Sequence, residues 1–264
     1  MTLGRFSFVS MTYNIWGDWR LKERMPALRE LLETRPPDVL ATQELRPESR
    51  AVIDEALPGH HRVQDDFPGW SHESNLWWRP DLFEAQDHGA EDVGIRADYA
   101  SLFWVRLQPR SDEPVDPMVF STAHLTWPGH PQEREDDVNP RVSQARQVIA
   151  ALDELAGDGA AIFTVDINDY ARPLWVLFDA GFQESFGALG QASPITHPVV
   201  PLALPGDRPH GVAAVAKAID WQFHRGPVQA RSSEVVDFFH HGVAPSDHKP
   251  VVTTFTLAPG GDHR

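Results

Sequence analysis

Residues 246–257 read Ser-Asp-His-Lys-Pro-Val-Val-Thr-Thr-Phe-Thr-Leu, an acid and an imidazole side by side in front of a β-rich run. The Val, Thr and Phe residues between Pro250 and Leu257 favour a pleated, partly buried strand. Asp247 and His248 therefore stand at the mouth of that strand, and the triplet Ser246-Asp247-His248 is the least ambiguous local signal in the chain. Taken alone, Asp247 serves equally well as the N-cap of a turn before Pro250. What the rest of the chain sets beside it decides the matter.

Further β-rich runs occur at Phe6–Tyr13, Val39–Gln43, Ser74–Trp78, Ser101–Leu107, Met118–His124, Ala160–Val165 and Ala218–Phe223. Helical periodicity fills two of the gaps. Leu21–Glu33 carries Leu21, Met25, Leu28, Leu31 and Leu32 on one stripe, and Val142–Leu155 carries Val142, Ala145, Val148, Ile149, Leu152 and Leu155. A shorter helix is expected over Arg172–Gly181, with Pro173 in its first turn and Gly181 as C-cap. Strands and covering helices alternate without an internal repeat or low-complexity linker, so one domain is expected over residues 1–264, with a core from about 5 to 257 and a short polar C-terminal tail. Trp127–Pro140 and Gly187–Lys217 read as long loops, candidates for substrate selection.

The 264 residues contain no Cys, which excludes disulfides, thiolate metal sites and a cysteine nucleophile. With 23 Lys+Arg against 38 Asp+Glu the formal charge is -15. Proteins that wrap duplex nucleic acid need clustered cations to displace phosphate counterions, so that partner is disfavoured. A small phosphorylated substrate fits better. No signal peptide and no apolar run of membrane-spanning length is visible, and a cytoplasmic location is the default expectation. Oligomeric state leaves no trace in the sequence.

Polar residues cluster at strand ends. Asn14 follows Met-Thr-Tyr, Glu44 follows Ala-Thr-Gln, His124 follows Ser-Thr-Ala, Asp166 and Asn168 follow Ile-Phe-Thr-Val, and Asp220 follows Ala-Ile. Each has a modest reading: Asn14 as a turn former, Glu44 as a solvated strand end, His124 as a core histidine, Asp220 as a strand cap. Asp166 and Asn168 are harder to dismiss, because period-two spacing points both the same way. Strands sharing sheets would bring these ends to one edge and assemble carboxylates, amides and imidazoles in a single pocket. Carboxylates such as Glu44 and Asp247 with an amide oxygen are hard ligands for Mg²⁺ or Mn²⁺, and imidazoles beside such an ion neutralise phosphoryl charge or move a proton. That inventory suits phosphate ester hydrolysis.

The motifs TYN (Thr12–Asn14), TQEL (Thr42–Leu45), STAHL (Ser121–Leu125), VDIN (Val165–Asn168), IDW (Ile219–Trp221) and SDHKPV (Ser246–Val251), in this order, resemble those of the endonuclease/exonuclease/phosphatase superfamily over Phe6 to Phe255. The resemblance implies a four-layer α/β/β/α sandwich of the α+β class, with two packed mixed β-sheets flanked by helices and the site at one edge. It implies Glu44 as principal metal ligand with Asn14 and Asp247 nearby, Mg²⁺ or Mn²⁺ as cofactor, and Asp166 orienting or deprotonating the attacking water. Asn168 would hold the phosphate, His248 would contact it while oriented by Asp220, and His124 would assist the leaving group or phosphate. Val165 stands where the family usually has Gly. Trp16 stands where the abasic-site branch often carries an acid, and that branch fits less well.

Trp127, with Trp16 and Trp221, is a candidate aromatic wall, with core packing as the alternative. Arg141 is a candidate phosphate contact, with surface salt bridging as the simpler role. His60-His61, His240-His241 and the acids Glu133, Glu135, Asp136 and Asp137 read as solvated loop residues. The expected activity is metal-dependent hydrolysis of a phosphodiester or phosphomonoester by activated water. A metabolite-specific acid–base enzyme and a silent binding module on the same fold are the alternatives.

Overall fold

A computed structural model describes residues 6–200 and 214–259. Part of the expected loop Gly187–Lys217, residues 201–213, and the C-terminal tail from 260 lie outside the described residues.

Two six-stranded sheets pack face to face. The first has the order β11 (Val228–Val235), β12 (Val251–Leu257), β1 (Phe6–Asn14), β2 (Val39–Gln43), β4 (Asn75–Trp78), β3 (His61–Arg62). The second runs β5 (Phe83–Glu91), β6 (Leu102–Pro109), β7 (Met118–His124), β8 (Ala160–Asp166), β10 (Asp220–Arg225), β9 (Gln183–Glu184). Phe8, Trp78, Phe103, Phe120 and Phe255 fill the space between them. Helices α1 (Leu21–Thr34) and α2 (Pro47–Ala56) cover the first sheet through Leu28, Leu31, Leu32 and Ile53. Helices α5 (Pro140–Ala156) and α6 (Arg172–Asp179) cover the second through Ala145, Val148, Leu152, Leu174 and Leu177. The expected α/β/β/α sandwich follows from these four layers.

The topology explains why strand ends meet. β1 and β2 are parallel, linked across α1, and β7 and β8 are parallel, linked across α5. Parallel neighbours share an edge at their C-terminal ends, which brings Asn14 beside Gln43 and its successor Glu44, and His124 beside Asp166. β12 and β10 run antiparallel to these pairs, so their N-terminal ends arrive at the same edge: Val251 faces Thr12, and Asp220 faces Asp166. Polar stitches tie the two sheets near this edge. Gln43 Nε2 donates to Thr12 Oγ1 (3.0 Å) and across the core to Thr122 Oγ1 (2.7 Å), and Gln222 Nε2 to the Val251 carbonyl (2.8 Å).

Several elements differ from expectation. Strands β5 and β11 lie at sheet edges with a solvent face, and β3 and β9 are two-residue pairs. Helices α2 and α3 (Gly69–His72) were not expected, and α4 (Pro131–Asp136) forms inside the segment Trp127–Pro140 that reads as loop. Pro131 at its first turn is compatible with a helix start, and His130 Nδ1 accepts from the Gln132 N–H. The third expected helix ends at Asp179, two residues early, and Gly181 follows at φ +82°. No helix among the described residues is long and apolar enough to cross a membrane.

Candidate active site

Asn14 stands where the two sheets touch. Its Nδ2 donates to Glu44 Oε1 (3.0 Å) and Asp166 Oδ2 (2.8 Å), one carboxylate from each sheet. Its Oδ1 accepts from the Trp16 N–H (2.8 Å), the turn contact that its sequence position suggests. The amide nitrogen therefore faces the carboxylates. As placed, Asn14 turns its amide nitrogen to the two carboxylates and its oxygen to the Trp16 N–H.

Three non-glycine residues here adopt left-handed backbone: Trp16 (φ +62°), Glu44 (φ +53°) and Asn168 (φ +53°). Such conformations cost of order 1 kcal/mol each and concentrate at functional sites. Buried Arg24 supports the first turn, donating to the carbonyls of Ile15 (2.9 Å) and Trp16 (3.1 Å), with its guanidinium 5.0 Å from the Trp16 ring centroid.

Two histidine–carboxylate pairs flank Asp166. His124 Nδ1 lies 3.1 Å from Glu73 Oε1, and its Nε2 lies 3.6 Å from Asp166 Oδ2 and 3.8 Å from Glu44 Oε1. Burial disfavours charge on this imidazole, but the Glu73 hydrogen bond and the charges of Asp166, Glu73 and Glu44 outweigh it and push the pKa up to about 10. His248 Nδ1 sits 2.9 Å and 3.0 Å from the two Asp220 oxygens, leaving Nε2 3.8 Å from Asp166 Oδ2. Burial again opposes protonation, and Asp220, Asp166 and Asp247 raise the pKa well above its ordinary value. Asp166 is itself pushed up, first by burial and also by Asp220, against the pull of His248, His124 and Asn14. Asp247 is held low although burial opposes it, because His197, His248 and Arg24 favour its anion.

These groups open on a cavity of ≈ 500 Å³ whose walls include Glu44, His124, Asp166, Asn168, Asp247 and His248. Asn14 and Asp220 lie behind the wall and act on those that line it. Trp127 and Trp16 also line the cavity, whereas Trp221 is core. Arg141 does not line it. Its guanidinium is buried and engaged by Glu133, Asp169 (3.3 Å) and the Thr126 carbonyl (2.9 Å), so its donors are committed to pinning α4. The acids of that segment are likewise not simply solvated, since Asp136 pairs with Arg96 at 3.7 Å. His61 lies in β3, and His240 pairs with Glu30.

Glu73, His197, Arg46 and Lys217 line the cavity and were not expected from sequence. Glu73 immediately precedes a β-rich run, a weak signal; His197 lies in a loop with none. The Glu44, His124 and Asp166 donors lie within 4.8 Å of one another, as do those of His197, Asp247 and His248. The first of these, with two carboxylates to one imidazole, is the set that fits a hard divalent cation.

Fold and site together define a phosphoester hydrolase. A family model described as Endonuclease/Exonuclease/phosphatase family matches residues 11–248, and the chain belongs to that family. Its enzymes use divalent metals, and this chain has acid and histidine groups able to bind one. Similar solved structures include a Bacteroides vulgatus family member at TM-score 0.76 and 16% identity, covering 96% of this chain and 100% of that one. TDP2 from D. rerio, complexed with a single-strand DNA product, aligns at TM-score 0.75 and 17% identity over 94% of this chain and 98% of that one. A mannosyl-6-phosphatase from Bacteroides thetaiotaomicron aligns at TM-score 0.72 and 18% identity over 94% and 99%. A search of curated proteins finds no match.

Proposed function

We propose that the cavity hydrolyses a small phosphate ester, monoester or diester, by direct attack of water, with Mg²⁺ or Mn²⁺ as cofactor. The observation that carries this reading is the placement of Asp166 between two carboxylate-bound imidazoles at the edge where Glu44 and Asp247 also end. Glu44 and Asp247 hold the ion, which when bound neutralises phosphoryl charge. Asn14 aligns Glu44 with Asp166 through its amide nitrogen. Asp166, raised in pKa by burial, orients the water and takes its proton. As the water oxygen bonds to phosphorus, the ester P–O bond breaks and the leaving oxygen receives a proton from a cationic imidazole.

His248, locked by Asp220, and Asn168 contact the phosphoryl oxygens, and His124, held by Glu73, stands on the opposite flank. Trp127 and Trp16 form the wall for the organic part of the substrate. A cavity of ≈ 500 Å³ in a chain of charge -15 favours a nucleotide- or sugar-sized ester over a long polyanion. The named activity of the sugar-phosphate phosphatase neighbour is compatible with that size, and the DNA-bound neighbour makes single-stranded oligonucleotide the comparison to include.

The test is a panel of bis-p-nitrophenyl phosphate, p-nitrophenyl phosphate, nucleotides, sugar phosphates and single-stranded oligonucleotide, each with Mg²⁺, Mn²⁺ or EDTA. Turnover that needs the metal and disappears in His248→Ala is expected, with small esters preferred. Turnover that persists in EDTA, or that His248→Ala leaves intact, overturns the site assignment.

A further inference from the structure

Arg46 lines the cavity but has no part in the chemistry above. It follows Glu44 by two positions and leads into α2 from extended backbone (φ -130°, ψ 156°), the conformation that the following Pro47 favours. Its Nη1 donates to the carbonyls of Leu45 (2.7 Å) and His72 (2.5 Å), which clamps the guanidinium between the turn after β2 and the end of α3. Nε and Nη2, the two parallel N–H donors that grip a carboxylate or phosphate side-on, make no hydrogen bond or ion pair among the described residues. The chain has 38 Asp+Glu, and a clamped guanidinium that pairs with none of those described calls for a physical reason.

The place of that unspent edge narrows what it binds. Glu44 Oε1 faces Asn14 (3.0 Å) and His124 (3.8 Å), on the side of Asp166, whereas Oε2 faces Gly17 and Arg46. A Cβ on Gly17 would lie 3.4 Å from Glu44 Oε2 and 3.4 Å from Arg46 Nη2, so the two charged groups border one small space without forming an ion pair. Gly17, at φ +50°, keeps that space free of a side chain. Arg46 therefore stands across Glu44 from the groups assigned to the reacting phosphorus, on a cavity wall it shares with Trp16 and Trp127. We propose that Arg46 binds a second anionic group of the substrate, a phosphate or carboxylate carried on its organic part, and so selects doubly anionic esters over singly anionic ones. The proposal rests on the phosphoester reading for the first of the two groups. A side-on guanidinium contact to an anion is charge-assisted, and the clamp at Leu45 and His72 reduces the side-chain entropy lost when it forms.

The test reads binding and needs no turnover. Full-length protein in excess Mg²⁺ is titrated calorimetrically with alkylphosphonates, α,ω-alkanediphosphonates and ω-phosphonocarboxylates of two to four carbons, none of which has an ester bond to cleave. At least one doubly anionic series is expected to bind about tenfold or more tighter than the alkylphosphonate of equal length, and the tighter series tells a second phosphate from a carboxylate. Arg46→Gln and Arg46→Lys are each checked for native circular dichroism. Arg46→Gln should bring singly and doubly anionic ligands to within about twofold, and Arg46→Lys should keep part of the preference, because an ammonium retains the charge but not the paired donors. Equal affinities in wild type, or a full preference in folded Arg46→Gln, overturn the role of Arg46 while leaving the hydrolysis reading in place. Failure of every phosphonate to bind removes that reading and this proposal with it, so the two failures are told apart.

Discussion

At the scale of single residues, the proposed chemistry divides the pairs around Asp166 into groups that react and groups that position, a division kinetics can test. His248→Ala and Asp166→Ala remove an electrostatic or acid–base group and should lower kcat by about 100-fold or more. Asp220→Asn leaves the His248 ring in place but loses the carboxylate that fixes its tautomer. A fall in kcat with KM little changed is expected, and the pH profile should shift because the imidazolium is no longer stabilised. Unchanged kinetics in Asp220→Asn would remove it from the machinery. A second buried histidine gives a test of stability instead. His224 is 3% exposed, packs on Phe255, and burial pulls its pKa down from 6.5 to about 4 despite a hydrogen bond to the Gln183 backbone. The folded chain holds it neutral while the unfolded chain protonates it below about 6.5, so its contribution is complete above that pH and is lost as the pH falls toward about 4. That depression corresponds to about 3 kcal/mol. Urea midpoints of wild type and His224→Gln, compared between about pH 7 and about pH 4.5, should show the wild type losing more stability by about 2 kcal/mol, most of that depression. Parallel losses in the two proteins would refute it.

At the scale of elements, tight junctions matter as much as the strands they join. Gly226 turns β10 into β11 at φ +82°, and a Cβ there would lie 2.2 Å from the Gly159 carbonyl oxygen at the start of β8. Neither backbone can retreat without breaking the β8–β10 ladder, so Gly226→Ala should cost about 3 kcal/mol. Gly59 offers the control: a Cβ there meets nothing within 4 Å, and Gly59→Ala should melt within a degree or two of wild type. Equal melting temperatures for the two variants would sink the packing argument. The same contrast explains what the sequence revealed. β2, β7 and β8 are buried almost throughout and read as apolar runs whose polar successors Glu44, His124, Asp166 and Asn168 stand out. β5, FEAQDHGAE, and β11, VQARSSEV, are exposed edge strands whose partners, rather than their composition, define them. In the site, strand-end residues were legible for the same reason. Glu73 and His197 were not, because Glu73 meets His124 across 51 positions and His197 meets Asp247 through a loop pairing with Lys217. Arg141 shows the reverse error, a cation beside a conspicuous loop whose hydrogen bonds are spent inside the protein.

At the scale of the molecule, the site is also a clasp between the two sheets. Glu44 follows the first sheet's β2 and Asp166 ends β8 of the second, and Asn14 and His124 each contact both carboxylates. Glu73 and Asp247 bring the carboxylates at the cavity wall to four, in a chain whose formal charge is already -15. Where His124 and His248 leave these acids uncompensated, their mutual repulsion opposes closure of the sandwich edge, and a divalent ion bound there would offset it. Binding to the folded chain alone stabilises it by RT ln(1 + [M]/Kd), about 2.7 kcal/mol at a hundredfold excess over Kd. For a domain of this size that corresponds to a rise in melting temperature of about 5 to 10 °C. Thermal melts in EDTA and in increasing Mg²⁺ should therefore separate by that much in wild type. Glu44→Gln should respond far less to Mg²⁺, and in EDTA it should melt at or above the wild-type temperature, because one of the opposed charges has gone while the hydrogen-bonding shape remains. A Glu44→Gln protein that melts lower than wild type in EDTA yet gains the full Mg²⁺ shift would mean that Glu44 is a structural partner of Asn14 and that the ion is held elsewhere.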